Sequence, residues 1–129
     1  GFLGLPGDFT PPSRFVRAAF LQNYSIQQDT SYDSAMQAFH ILNNFDVPLG
    51  TEYAPGRAPV NMPSATQWTI ATDMHDKVVY YNTMYNRTLR SIDLNKIDFA
   101  NIAFQSHPLD TVRAETIIPV QINGAPTNR

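Results

Sequence analysis

The stretch GFLGLPGDFTPPSRFVRAAF, residues 1–20, decides how the rest of the chain is read. Gly4, Pro6 and Gly7 punctuate a loop over residues 1–9. Thr10 then precedes Pro11 and Pro12, and proline fits the first turn of a helix, where N–H groups lack partners in any case. Phe15, Ala18, Ala19 and Leu21 or Gln22 recur at helical spacing, which predicts a helix to about Tyr24 with a buried stripe. Its opening turns carry two cations, Arg14 and Arg17, where the helix dipole favours acids by a few tenths to about 1 kcal/mol. A charge placed against that field needs another reason. One is a solvated salt bridge worth under about 1 kcal/mol, with Asp8 across the loop-to-helix junction as the available acid. The other is service to a neighbouring site.

Outward from that stretch, composition narrows the choices. The chain has 129 residues, one domain's worth or less, with 43% apolar and 16% charged residues, which suits a globular core. A net charge of −2 leaves no basic footprint for nucleic acid. No run approaches the roughly 18 apolar residues of a membrane helix. Cysteine is absent, which excludes disulfides, thiolate metal sites and a cysteine nucleophile within residues 1–129. The chain opens on Gly1 rather than Met, so the true N-terminus is expected elsewhere. His40, His75 and His107 lie far apart in sequence, so no metal site and no cofactor is expected. His40 reads as a core or boundary residue of a helix. The Gly1, Gly4, Gly7 spacing lacks the order of a phosphate loop.

A second helix is predicted from Ser31 to about Asp46. Thr30 and Asp33 have the form of a capping box, and Ala35, Ala38, Phe39, Leu42 and Phe45 follow at helical spacing. Residues 46–64 form a proline-rich loop, long enough to cover a site or shape an assembly. From Ala65 the period changes to two. Trp68, Ile70 and Thr72 alternate with Gln67, Thr69 and Ala71, a turn follows at 75–77, and strands are predicted at 78–85 and 88–94. Trp68 and the tyrosines at 80, 81 and 85 read as core. TIIPVQI, residues 116–122, is confined by Pro119 to a sheet edge or an extended arm. Two helices followed by an antiparallel meander make an α+β unit. Its strand 78–85, apolar or aromatic on both faces, asks for a further layer.

The run Gly4-Leu5-Pro6-Gly7-Asp8, followed by Pro12-Ser13-Arg14-Phe15-Val16-Arg17-Ala18-Ala19-Phe20, resembles a signature segment of the choloylglycine hydrolase family. That family comprises bile salt hydrolases and penicillin V acylases. Phe39-His40-Ile41-Leu42, Trp68-Thr69, Tyr80-Tyr81 and Ile92-Asp93-Leu94 extend the resemblance to about residue 100. The wording Ala65-Thr66-Gln67-Trp68-Thr69 looks most like the Gram-negative branch of the penicillin V acylases.

The resemblance implies a four-layer αββα N-terminal nucleophile hydrolase, of which residues 1–129 are the C-terminal part of a single domain. It implies an autocatalytically exposed cysteine, supplied by an N-terminal segment outside this chain, that attacks a linear amide and uses its own α-amino group as base. Of the family's catalytic groups only one falls here, and it maps onto Arg14. The loop with Phe2, Leu3 and Leu5 is placed by the resemblance at the pocket side, with Leu3 and Leu5 as substrate contacts. Expected substrates are penicillin V, conjugated bile acids or N-acyl homoserine lactones, and the chain alone is expected to be inactive. A homo-oligomer is implied, a tetramer in the family, with a periplasmic location if the Gram-negative branch holds and a cytoplasmic one otherwise. The rival expectation is a non-catalytic binding module of the same fold. A guanidinium serving a cysteine would explain Arg14, leaving Arg17 to a structural pair, with Asp8 as its candidate partner.

Overall fold

The computed structural model describes residues 3–61 and 64–120. Helix α1 spans Pro11–Tyr24 and helix α2 spans Ser31–Leu42, continued by a 3-10 turn at Asn43–Phe45. Strands β1 (Trp68–Asp73), β2 (Val78–Thr83) and β3 (Arg90–Asp93) follow, and a second 3-10 turn covers Leu94–Lys96.

Each helix starts where its local chemistry directs. Thr10 is extended at the N-cap of α1 with proline in the first turn behind it. Thr30 caps α2, its hydroxyl oxygen accepting from the Asp33 N–H at 3.0 Å, as the capping box predicts. The predicted stripe on α1 differs from the structure. Ser13 is the residue of α1 that is buried, while Phe15 is 74% exposed and Ala19 faces solvent. The apolar face of this helix is only partly covered among the described residues: Ala18, Phe20 and Leu21 are half-buried, and Phe15 and Ala18 look across an open groove to Leu42 and Phe45.

The sheet is a meander in the order β1-β2-β3, antiparallel throughout. Asp73 closes the first turn by accepting from the N–H groups of His75 and Asp76, both at 2.9 Å. Lys77 takes a left-handed φ of 56° there. The second and third strands are shorter than the alternation predicts. The Thr83 N–H bonds to the Asn86 carbonyl at 3.1 Å, which ends β2 in a tight turn. The Thr88 N–H bonds to the Asn86 side chain, delaying β3 to Arg90. Residues 116–120 of the expected arm are exposed and in no ladder, and 121–122 lie outside the described residues.

Register sorts the sheet into two unlike faces. Trp68 lies opposite Thr83, Ile70 opposite Tyr81, Tyr81 opposite Arg90 and Val79 opposite Ile92, so these residues share one face. Thr69, Ala71, Tyr80 and Asn82 share the other, where α2 packs on β1 and buries Ala35 and Phe39. The first face lies open, with Trp68 53% and Ile70 47% exposed. The expectation of Trp68 and Tyr85 as core therefore fails among the described residues: no layer covers Trp68, and Tyr85, beyond the end of β2, is half exposed with the Arg113 guanidinium over its ring. Tyr80 and Tyr81 are half-buried. His40 is exposed on the outer side of α2 rather than at its boundary.

Candidate active site

The loop that opens the chain is tied to the start of α1 by a compact set of hydrogen bonds. One carboxylate oxygen of Asp8 accepts from the Thr10 N–H at 2.8 Å and from the Thr10 hydroxyl. The other accepts from the Ser13 hydroxyl at 2.7 Å. The hydroxyls of Thr10 and Ser13, with the Thr10 N–H, hold the Asp8 carboxyl down at about 2. The acid that a helix start favours is thus present, although it stands before the helix rather than in it.

Arg17 lies three residues beyond Arg14, one turn further along α1. Its Nη1 donates to the carbonyl oxygens of Pro6 and Asp8, both at 2.8 Å. Its guanidinium also lies 5.3 Å from the centre of the Phe45 ring, joining α1 to the end of α2. The expected Asp8–Arg17 pair therefore exists through the backbone carbonyl and not through the carboxylate. Two hydroxyls at positions 10 and 13 hold the carboxylate, and no spacing rule reveals that competition.

Arg14 behaves differently. Its main-chain N–H closes the first helical bond to the Thr10 carbonyl at 3.0 Å. Its side chain is exposed and makes no hydrogen bond or ion pair among the described residues. Beside it lies an apolar groove of about 330 Å³, lined by Pro11, Phe15, Ala18, Leu42, Phe45 and Arg14 itself. A free guanidinium at the rim of an apolar groove can bind an anion or stabilise charge developing on a polarised oxygen. Leu3 is fully exposed and Leu5 half-buried, and neither lines this groove. Phe2 lies outside the described residues. Among the described residues no three His, Cys, Asp or Glu side chains come together as a metal site. Nor is any described helix long and apolar enough to cross a membrane.

A second polar cluster lies at the far end of the sheet. Asp110 accepts from the Thr83 hydroxyl at 2.8 Å and pairs with Arg90 at 2.9 Å, and Arg90 also stacks over Tyr81. Asn86 donates to the Val112 carbonyl at 2.8 Å, and the Arg87 N–H donates to Glu115. These contacts fasten the 109–115 segment to the β2–β3 turn. Sequence reading missed them, because polar residues some twenty or more positions apart leave no periodic signal.

Known proteins resemble this chain in sequence and in fold. The chain is 40% identical over 96 residues to a bile salt hydrolase/transferase of Clostridium perfringens, covering 74% of this chain and 28% of that protein. Its fold matches the crystal structure of a mutant conjugated bile acid hydrolase from Clostridium perfringens. There the TM-score is 0.71 and the identity 34%, over 94% of this chain and 35% of the other. It also matches penicillin V acylase from Agrobacterium tumefaciens, with a TM-score of 0.58 and 25% identity over 76% and 30% of the two chains. The chain thus spans about a third of the length of the relatives it matches. The α+β unit is part of the αββα fold of the N-terminal nucleophile hydrolases. Residues 1–111 match the linear amide C–N hydrolases of the choloylglycine hydrolase family, and the chain belongs to that family.

Proposed function

We propose that residues 1–129 form the C-terminal part of an amidase whose cysteine nucleophile stands in a segment outside this chain, and that Arg14 completes its catalytic site. The observation that carries this reading is the Arg14 guanidinium, without a partner among the described residues, set within the family's signature run and lining an apolar groove. A fixed cation beside a thiol favours the thiolate. The thiolate attacks the amide carbonyl carbon, and the oxygen gains negative charge that a planar guanidinium stabilises. The C–N bond then breaks, the amine leaves with a proton returned by the α-amino group, and water hydrolyses the thioester.

The substrates are amides that join a bulky apolar acyl group to a small polar amine. Among these, conjugated bile acids stand first, since similar proteins of two organisms are bile salt hydrolases by name. Penicillin V follows, and N-acyl homoserine lactones share the same chemistry. In this arrangement Leu3 and Leu5 contact the acyl group, and the enzyme assembles as a homo-oligomer.

The test is a panel assay of the complete polypeptide with glycocholate, penicillin V and a long-chain acyl homoserine lactone. Release of free amine that stops on thiol alkylation is expected with at least one of them. A folded, complete protein that cleaves none, or whose cleavage ignores alkylation, overturns the reading.

A further inference from the structure

We propose that Asp8 and Arg17 are positioning residues that hold the 3–10 loop against α1 and thereby keep Arg14 free and aimed. The inference rests on the reading of Arg14 given above.

Arg14 and Arg17 stand three apart on one helix, close enough for their charges to repel and to compete for the same acid. Asp8 is the acid that precedes both in the chain. Left unengaged, its carboxylate would neutralise Arg14 at once, because arginine and carboxylate form bidentate pairs. In the structure the carboxylate is engaged at the helix start instead. Both oxygens of Asp8 are engaged by the Thr10 N–H, the Thr10 hydroxyl and the Ser13 hydroxyl. The Thr10 and Ser13 hydroxyls also touch each other at 3.1 Å.

Arg17 does the complementary work. It takes the carbonyls of Pro6 and Asp8, and the Phe45 ring backs its guanidinium. The loop is therefore held from both sides, by its carboxylate to the helix start and by its carbonyls to the next turn. Ser13, the residue just before Arg14, is buried inside this set. One cation is spent inside the loop and the other is left for the site.

The experiment is a double-mutant cycle in the complete enzyme, reading kcat, KM and melting temperature. Asp8→Ala is expected to lower kcat roughly 10- to 100-fold, the scale of a misplaced catalytic group, with KM nearly unchanged. In an Arg14→Ala background the same substitution should change kcat less than about twofold, since nothing remains to be aimed. Arg17→Lys should retain more activity than Arg17→Ala, because an ammonium still donates to the two carbonyls. Should Asp8→Ala fail to fold, Asp8→Asn replaces it in the cycle. Losses that multiply in the double variant, or that follow melting temperature alone, overturn the proposal and leave the Arg14 reading intact. Full activity in Arg14→Ala overturns both.

Discussion

The two faces of the sheet differ in what they leave exposed. Under α2 the sheet offers Thr69, Ala71 and Asn82, small or polar, beside the larger Tyr80, and these are buried or half-buried. On the other face it offers Trp68, Ile70 and Ile92, large and apolar, and these are open. A domain that folded for itself would do the reverse, because burial of large apolar side chains supplies most of the driving force. In the described residues that service is left to Ala35 and Phe39. The surface that should drive folding is thus directed outward, to where an αββα fold sets its second sheet.

The largest expected effect comes from removing that second layer. Residues 1–129 expressed alone should be insoluble or molten, since a flat apolar sheet face invites association. Joined to the segment that the proposed function calls for, the chain should become soluble and the emission of Trp68, its single tryptophan, should shift to the blue. A monomer of the isolated chain with a sharp, cooperative melting transition would break the comparison outright.

Next in size is Arg14, an exposed residue that is expected to gain its partner only in the complete protein. Arg14→Ala in that protein should reduce kcat/KM by roughly 100- to 1,000-fold, the range for one lost stabiliser of developing charge. The melting temperature should hardly move, because alanine suits a helix start at least as well as arginine. Arg14→Lys should recover a minor part of the activity, a point charge being a poor copy of the fork. Loss of activity that is explained by unfolding would place Arg14 with the structural residues.

How much of this was legible in the sequence divides along the same line as the two faces. Elements that satisfy themselves locally could be read: α2 from Thr30 and Asp33, β1 from its alternation, the first hairpin turn from His75 to Lys77. The start of α1 was legible too, from Thr10 and two prolines. What those elements pack against was not. The periodicity of Phe15 and Trp68 marks them as residues to be buried, but it cannot say what would cover them. At the site, the helix-start position marked Arg14 and Arg17 alike, and only the family resemblance singled out Arg14. The division of labour between its neighbours needed coordinates, because hydroxyls, carbonyls and a guanidinium compete there within a few ångströms.

A smaller effect is expected at the one end of the open face that the chain does cover. Asp110 screens Thr83 and Arg90 there, and Thr83 is 3% exposed as a result. Asp110→Asn keeps the shape and removes the charge beside Arg90, whose Nε is already buried without a partner. In the complete protein this should cost about 1–3 kcal/mol, the scale of a charged hydrogen bond lost in partial burial. Glu115→Gln, on the exposed side of the same segment, should cost less than about 1 kcal/mol. Denaturant midpoints of the two variants check the difference. Equal midpoints would mean that the segment covers nothing of consequence.

The smallest effect lies at the rim where the two faces meet, in the turn between β1 and β2. His75 Nδ1 stands 2.7 Å from an Asp76 carboxylate oxygen, and the hydrogen bond and charge of Asp76 push the imidazole above its ordinary 6.5. Asp76 is in turn held below the usual carboxylate range by the Ser31 hydroxyl and by His75, which links this turn to the start of α2. A raised folded value means that the histidine binds its proton more tightly in the native state. The stabilisation is therefore complete below pH 6.5 and fades as pH rises through the raised value. With the imidazole so exposed, the change in melting temperature across that window should be slight. Imidazole titration by NMR in the complete protein reads the effect directly, with a midpoint above 6.5 that falls back towards it in Asp76→Asn. If the midpoint stays put in that variant, the charge that holds the proton is not Asp76, and the remaining acid of the turn, Asp73, is the next to replace.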